Sequence, residues 1–194
     1  MKKLFLAGIV MLLVFAVAAP TSAQGKFVIS VGPDVLLPMG DFGDHSGIGF
    51  GGSVRGQYNF TPMASAGLTV GYFTWSAKDV TTSGVTVTGA KLSGIPIRVF
   101  GKYYFMPEGA LRVYGIAELG FFIASVTVPS QTFFGFTTPE VTGSETDFNY
   151  APGVGIELPA GKMHVDISIR YDGIATTGSA SGSLAGRVGL NFPI

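Results

Sequence analysis

Three residues in the C-terminal part of the sequence carry side chains suited to hydrolysis. His164, Asp166 and Ser168 alternate in the stretch KMHVDISIRYD, residues 162–172. An imidazole, a carboxylate and a hydroxyl are the groups of nucleophilic acyl transfer, in which a base activates a hydroxyl and an acid orients the base. On an extended strand the three would share one face. Alternate residues on a strand lie about 6.6–7 Å apart, too far for direct hydrogen bonds unless the side chains reach. A second candidate is GDFGDHSG, residues 40–47, with Asp41, Asp44 and His45. That set is thin for calcium, which takes six to eight oxygens. The run GIGFGG, residues 47–52, is followed by no helical pattern and is no nucleotide loop. There is no cysteine, hence no thiolate site and no disulfide. The expectation is a chain with no catalytic residue, no metal and no cofactor, in which these groups are structural.

The strand that carries them poses a sharper question. Its other face is Met163, Val165, Ile167, Ile169 and Tyr171, all apolar, against His164, Asp166, Ser168 and Arg170. The same period-two alternation recurs along the chain, and no long segment after residue 24 has helical periodicity. Strands are expected near 27–37, 47–60, 63–76, 91–105, 110–124, 146–158, 162–172 and 182–192. Three of the connections are tight and rich in proline and glycine: TPM (61–63), MPEG (106–109) and PAG (159–161). The other four are long, and short and long strictly alternate. One end of the assembly therefore has turns and the other has loops, the asymmetry of outer-membrane barrels.

The two faces can be sorted in every strand. One register holds Ile29, Val31, Val35, Phe50, Val54, Leu68, Val70, Ile97, Val99, Leu119, Phe121, Val154, Val188 and Leu190, and no charge at all. The other holds Asp34, Arg55, Arg98, Lys102, Arg112, Glu118, Glu157, His164, Asp166, Arg170 and Arg187, with many glycines between them. In an eight-stranded barrel the interior is just wide enough for side chains to fill. Glycines and paired charges suit that crowded inside, whereas Arg or Lys on the lipid face costs roughly 2–4 kcal/mol at the midplane. The expected fold is all-β, an eight-stranded antiparallel up-and-down transmembrane β-barrel with an ion-pair network in its lumen. Tyr58, Phe60, Tyr103, Phe105 and Phe192 would form one aromatic girdle, and Phe50, Tyr72, Phe121, Phe148 and Tyr171 the other.

Bulk composition agrees. Charged residues are 12%, against about 25% in ordinary soluble domains, and 29 residues are glycine. Twelve basic and twelve acidic residues cancel, so no nucleic-acid partner is expected. Residues 1–23 read as a signal peptide. Lys2 and Lys3 precede an apolar run from Leu4 to Ala19, and Thr21 and Ala23 are small residues at the cleavage positions. Cleavage after Ala23 would leave residues 24–194 as one barrel domain.

On these features the chain resembles the small outer-membrane β-barrel family that includes OmpA-like and OmpX-like proteins. Its carriers are the export segment, the alternating strands, GIGFGGSVRGQY, GVGIEL and the terminal GRVGLNFPI. The resemblance implies insertion in the bacterial outer membrane, with lipids and the barrel assembly machinery as partners, and a monomer. It does not fix a task. Envelope integrity or surface contact is the first reading. The alternatives are adhesion to a protein or glycan through long loops, a narrow passive channel and, further off, a lipid-modifying enzyme. A soluble eight-stranded ligand carrier is the outside rival. The loops 77–90 and 125–145 keep alternating, so strands would project as ribbons, with Phe133, Phe134 and Phe136 as a possible contact surface.

Overall fold

A computed structural model describes residues 26–76, 80–82, 85–87, 91–107, 109–128, 130–133, 136–139, 141–176 and 179–194. The expected export segment 1–23 lies outside the described residues. Eight long strands form a closed antiparallel barrel. They are β1 (Lys26–Met39), β2 (Gly49–Asn59), β3 (Ala64–Ser76), β6 (Lys91–Tyr104), β7 (Arg112–Val128), β10 (Val141–Ala160), β11 (Met163–Thr176) and β12 (Ser179–Pro193). Each pairs with its neighbour in sequence, and β1 closes on β12, with Ile29 opposite Phe192. Two short hairpins lie in the long connections: β4 (Val80–Thr82) with β5 (Val85–Val87), and β8 (Gln131–Phe133) with β9 (Phe136–Thr138). Among the described residues no helix is long and apolar enough to cross a membrane.

The tight turns follow from their residues. Ala160 pairs with Met163, leaving a two-residue turn at Gly161 and Lys162. Gly161 has a φ of 69°, the left-handed conformation that such hairpins need at this place. The segment expected to be an irregular loop at GDFGDHSG instead contains one helical turn, α1 (Asp41–His45).

Of the prolines within strands, Pro33, Pro96 and Pro152 lie away from the strand ends, and each of these three interrupts only one ladder. The β1–β12 ladder skips Gly32 and Pro33, while β1–β2 stays paired there, with Pro33 opposite Gly52. The β10–β11 ladder skips Ala151 and Pro152, while Pro152 stays opposite Ala117 of β7. The β3–β6 ladder skips Pro96, which stays opposite Phe122 of β7. A proline has no N–H to give, so the break falls on the side its missing donor would have served.

The two faces separate as the alternation requires. Ile29, Val31, Val35, Val54, Leu68, Ile97, Leu119, Val154 and Ile169 are exposed on the outside. Arg55, Arg98, Arg170 and Arg187 are among the largest fully buried side chains. This inverts the order of a water-soluble protein, in which such residues are almost never fully buried. Aromatics near the tight turns pack edge to face on the outside, with ring centroids 5.0 Å apart for Tyr58 and Phe60 and 5.5 Å for Tyr103 and Phe105.

The interior differs from the expectation of glycines and ion pairs alone. Leu36, Phe73, Trp75, Phe122 and Ala185 form an apolar layer at the long-loop end. Phe100, Tyr104, Tyr114 and Ile116 form a second layer towards the tight turns. Phe73, Trp75, Phe100, Tyr114 and Phe122 each lie against a glycine, at Gly51, Gly49, Gly67, Gly155 and Gly94. A Cβ on Gly94 would run into the Phe122 ring and lie 2.9 Å from the Ile123 carbonyl oxygen. Gly94→Val is therefore expected to prevent closure at that level. On an unboiled detergent gel the variant should lose the compact, heat-modifiable band that the wild type shows; an undiminished band would refute this packing account.

Candidate functional site

The barrel axis is occupied by charges from seven of the eight strands. At the loop-side level, Arg170 Nη2 lies 2.6 Å from Asp34 Oδ1 and its Nε 3.4 Å from Asp172 Oδ2. Arg98 pairs with Asp172 through Nη1 and places Nε 3.3 Å from Glu118 Oε2. At the middle level, Arg55 Nη2 donates to Glu118 Oε1 at 2.7 Å. Arg187 donates from Nε to Ser53 Oγ and from Nη2 to Ser30 Oγ, both at 2.9 Å, and its Nη1 lies 3.3 Å from Asp166 Oδ1.

Towards the tight turns, Lys102 Nζ sits 3.0 Å from both Glu157 Oε1 and Asp166 Oδ2, and 4.2 Å from the centre of the Tyr114 ring. The hydroxyls of Tyr104 and Tyr114 donate to Glu157 at 2.8 Å and to Asp166 at 2.7 Å. Arg112 Nη1 reaches Glu157 Oε2 at 3.1 Å from the rim, where its side chain is 23% exposed.

The balance of these groups decides what the lumen can do. Without the rim residue Arg112, the buried cations are Arg55, Arg98, Lys102, Arg170 and Arg187. The buried carboxylates are Asp34, Glu118, Glu157, Asp166 and Asp172. Five stand against five, and no side chain among them is more than 7% exposed. A buried ion costs several kcal/mol of lost hydration, recovered only when partners surround it. Here each charge meets at least one opposite charge, so the cluster is a neutral plug.

Two of the alternating residues singled out for chemistry stand apart from it. His164 is half-buried at the tight-turn end and joins no ion pair among the described residues. Ser168 is buried, but its hydroxyl has no partner there. Asp166 is committed to Lys102, Arg187 and Tyr114. No hydroxyl–imidazole–carboxylate relay forms. Among the described residues no group of three or more acidic, histidine or cysteine side chains is placed to hold a metal ion. Phe133 and Phe136 are register partners in the β8–β9 hairpin, and Phe134 lies outside the described residues.

Asp172 and Tyr104 are network members that the alternation did not single out, whereas Ser53 falls in the inward polar register as expected. Asp172 sits at the end of an expected strand, where the alternation stops being readable. Its place two residues after Arg170, in the charged register, was the available signal.

A closed sheet of eight strands with a charged inside and an apolar outside suits only a lipid surround, because every edge amide must be paired there. A family profile described as outer membrane protein beta-barrel domain matches residues 7–192. The chain belongs to that family. It lies in the bacterial outer membrane, with its tight turns in the periplasm and its long loops outside.

Solved barrels of the same fold include a major outer membrane protein from Thermus thermophilus, 16% identical, covering 89% of this chain and 100% of that one, with a TM-score of 0.59. Neisserial surface protein A is 18% identical over 88% of this chain and 99% of its own, TM-score 0.57. The Yersinia pestis attachment invasion locus protein Ail, in complex with the heparin analogue sucrose octasulfate, is 15% identical over 89% of this chain and 100% of its own, TM-score 0.53. No curated protein matches the chain by sequence.

Removing one carboxylate tests the plug. Asp166→Ala leaves Arg187 without its ion pair and Lys102 with Glu157 alone, and an unpaired buried charge costs about 3–5 kcal/mol. Urea unfolding in phospholipid vesicles should show a loss of that size. A change below about 1 kcal/mol would mean that water already solvates the lumen.

Proposed function

We infer that this protein is a sealed, non-enzymatic barrel that acts at the cell surface through its projecting ribbon, and not through its lumen. The observation that carries the reading is the neutral plug of five buried cations and five buried carboxylates. It fills the middle of the lumen with side chains that are no more than 7% exposed. The ribbon is the other half of the argument. The β7–β10 ladder continues to Val128 opposite Val141, whereas β10 pairs with β11 only up to Phe148 opposite Ala175. Residues Val141–Asp147 therefore present one edge with no ladder partner among the described residues. Unpaired N–H and C=O groups on such an edge are a template for an added strand.

The charge of the long connections narrows the partner. Segments 40–48, 77–90 and 125–147 contain Asp41, Asp44, Asp79, Glu140, Glu145 and Asp147 against the single cation Lys78. Like charges across an interface cost several kcal/mol. A sulfated glycan, the kind of ligand whose analogue is bound by Ail, is disfavoured here. A neutral or basic polypeptide fits. The reading includes a monomer exported after cleavage at Ala23, so the mature chain should begin at Gln24 by mass spectrometry.

In planar bilayers the purified barrel is expected to give no unitary conductance steps. Deleting residues 125–147, which removes the whole unpaired edge, should leave a heat-modifiable barrel and abolish the attachment of expressing cells to surfaces coated with basic polypeptide. Replacing His164 and Ser168 together should leave the lipid profile of the cells unchanged. Stepwise conductance, full attachment by the deletion variant or an altered lipid profile would each defeat its part of the reading.

A further inference from the structure

Between the plug and the long loops the lumen holds a small cavity of about 20 Å³. Its walls are Leu36, Phe42, Phe73, Trp75, Phe122 and Ile174. Its floor is Arg98, Asn149 and Asp172. Apolar walls with a few convergent polar groups are the composition of a small-molecule site. The floor also has spare hydrogen-bonding capacity. Asn149 donates from Nδ2 to the Gly173 carbonyl, and its Oδ1 has no partner. Arg98 gives Nη1 to Asp172; its Nε lies 3.3 Å from Glu118 Oε2 without a hydrogen bond, and its Nη2 has no partner either. Asn149 is 2% exposed and Arg98 1%. A buried acceptor and a buried donor left unmatched at the base of one cavity are costly unless something meets them.

The cavity as it stands has room for about one water molecule. What limits it is Phe42, which comes from α1 and not from the barrel wall. Its ring meets the Trp75 ring edge to face, with centroids 5.8 Å apart. Phe42 is only half-buried, and α1 follows Gly40 at a φ of 60°. The side chain is thus an occupant supplied by an external loop, seated in an aromatic slot that a ring of the same size could take.

The geometry points to a binding site, open to the cell exterior when Phe42 swings out, for a small uncharged aromatic molecule with one hydroxyl group. The ring replaces that of Phe42 against Trp75, and the hydroxyl donates to Asn149 Oδ1 and accepts from Arg98 Nη2. A charged ring is excluded because the buried charges beneath already balance. The plug blocks onward passage, so the site captures and does not conduct. It stands independently of the ribbon.

Trp75 is the sole tryptophan of the chain and reports on the site directly. The mature barrel in phosphatidylcholine vesicles is titrated with phenol at neutral pH, with toluene and benzoate as comparisons. Phenol should change Trp75 emission saturably, with a midpoint at least about fivefold below that of toluene. Benzoate should give no saturable change. Phe42→Ala, which removes the competing ring, should lower the phenol midpoint about tenfold. Asn149→Leu should bring phenol and toluene to the same midpoint. An emission change linear in phenol concentration and identical in Phe42→Ala would show solvent quenching only and overturn the proposal. Equal midpoints for phenol and toluene, or for phenol and benzoate, in the wild type would do the same without any variant.

Discussion

A backbone amide in hydrocarbon has no water to bond, and that single constraint organises the molecule. Each N–H and C=O in the membrane zone must find a partner in the chain, so the sheet has to close. Closure here joins β1 to β12 and uses eight strands. Eight strands enclose a space that side chains fill and water does not. A charge turned inward then loses much of its hydration and is stabilised by an opposite charge beside it. The ion network follows from that requirement: Arg170 with Asp34, Arg55 with Glu118, Lys102 with Glu157 and Asp166. The prolines obey it too. Pro33, Pro96 and Pro152 each break one ladder and leave the other whole, which limits the number of carbonyls left without a donor.

The lumen is zoned along its axis. Phe73, Trp75 and Phe122 cover the ions on the loop side. Phe100, Tyr104 and Tyr114 line them on the other, where two hydroxyls also serve as donors. Rings and ions reinforce one another. Lys102 lies over Tyr114, and the Arg112 guanidinium carbon is 4.0 Å from the centre of the Tyr104 ring. An apolar collar around an ion cluster excludes water and strengthens each pair inside it. The ribbon edge lies beyond the barrel, and the small cavity lies within the lumen on the loop side of the ions.

The eight strands, their order and the sorting of their faces were legible from alternation and turn residues, because side-chain direction on a strand repeats every two residues whatever the rest of the chain does. The long reach of β10 was less legible. VTGSETD has alternating threonines but no apolar face, and only its pairing with β7 makes it a strand. The helical turn α1 was missed because five residues are too few for a period to show. The inward aromatics were hidden for another reason. Phe73 and Trp75 share the inward register of Thr69, but as apolar residues they were given no place in a lumen expected to hold glycines and ion pairs. Glycines on adjacent strands admit them: a Cβ on Gly49 would lie 2.8 Å from a ring carbon of Trp75.

Local backbone geometry thus determined which residues face lipid and which face the axis, and that much belongs to the sequence by itself. The partners of the inward charges belong to the tertiary structure alone. Arg55 and Glu118 are 63 residues apart, Lys102 and Asp166 are 64, and Asp34 and Arg170 are 136. Such pairs depend on the stagger with which non-adjacent strands face each other across the lumen. That stagger is set by closure of the whole sheet, and no single strand encodes it.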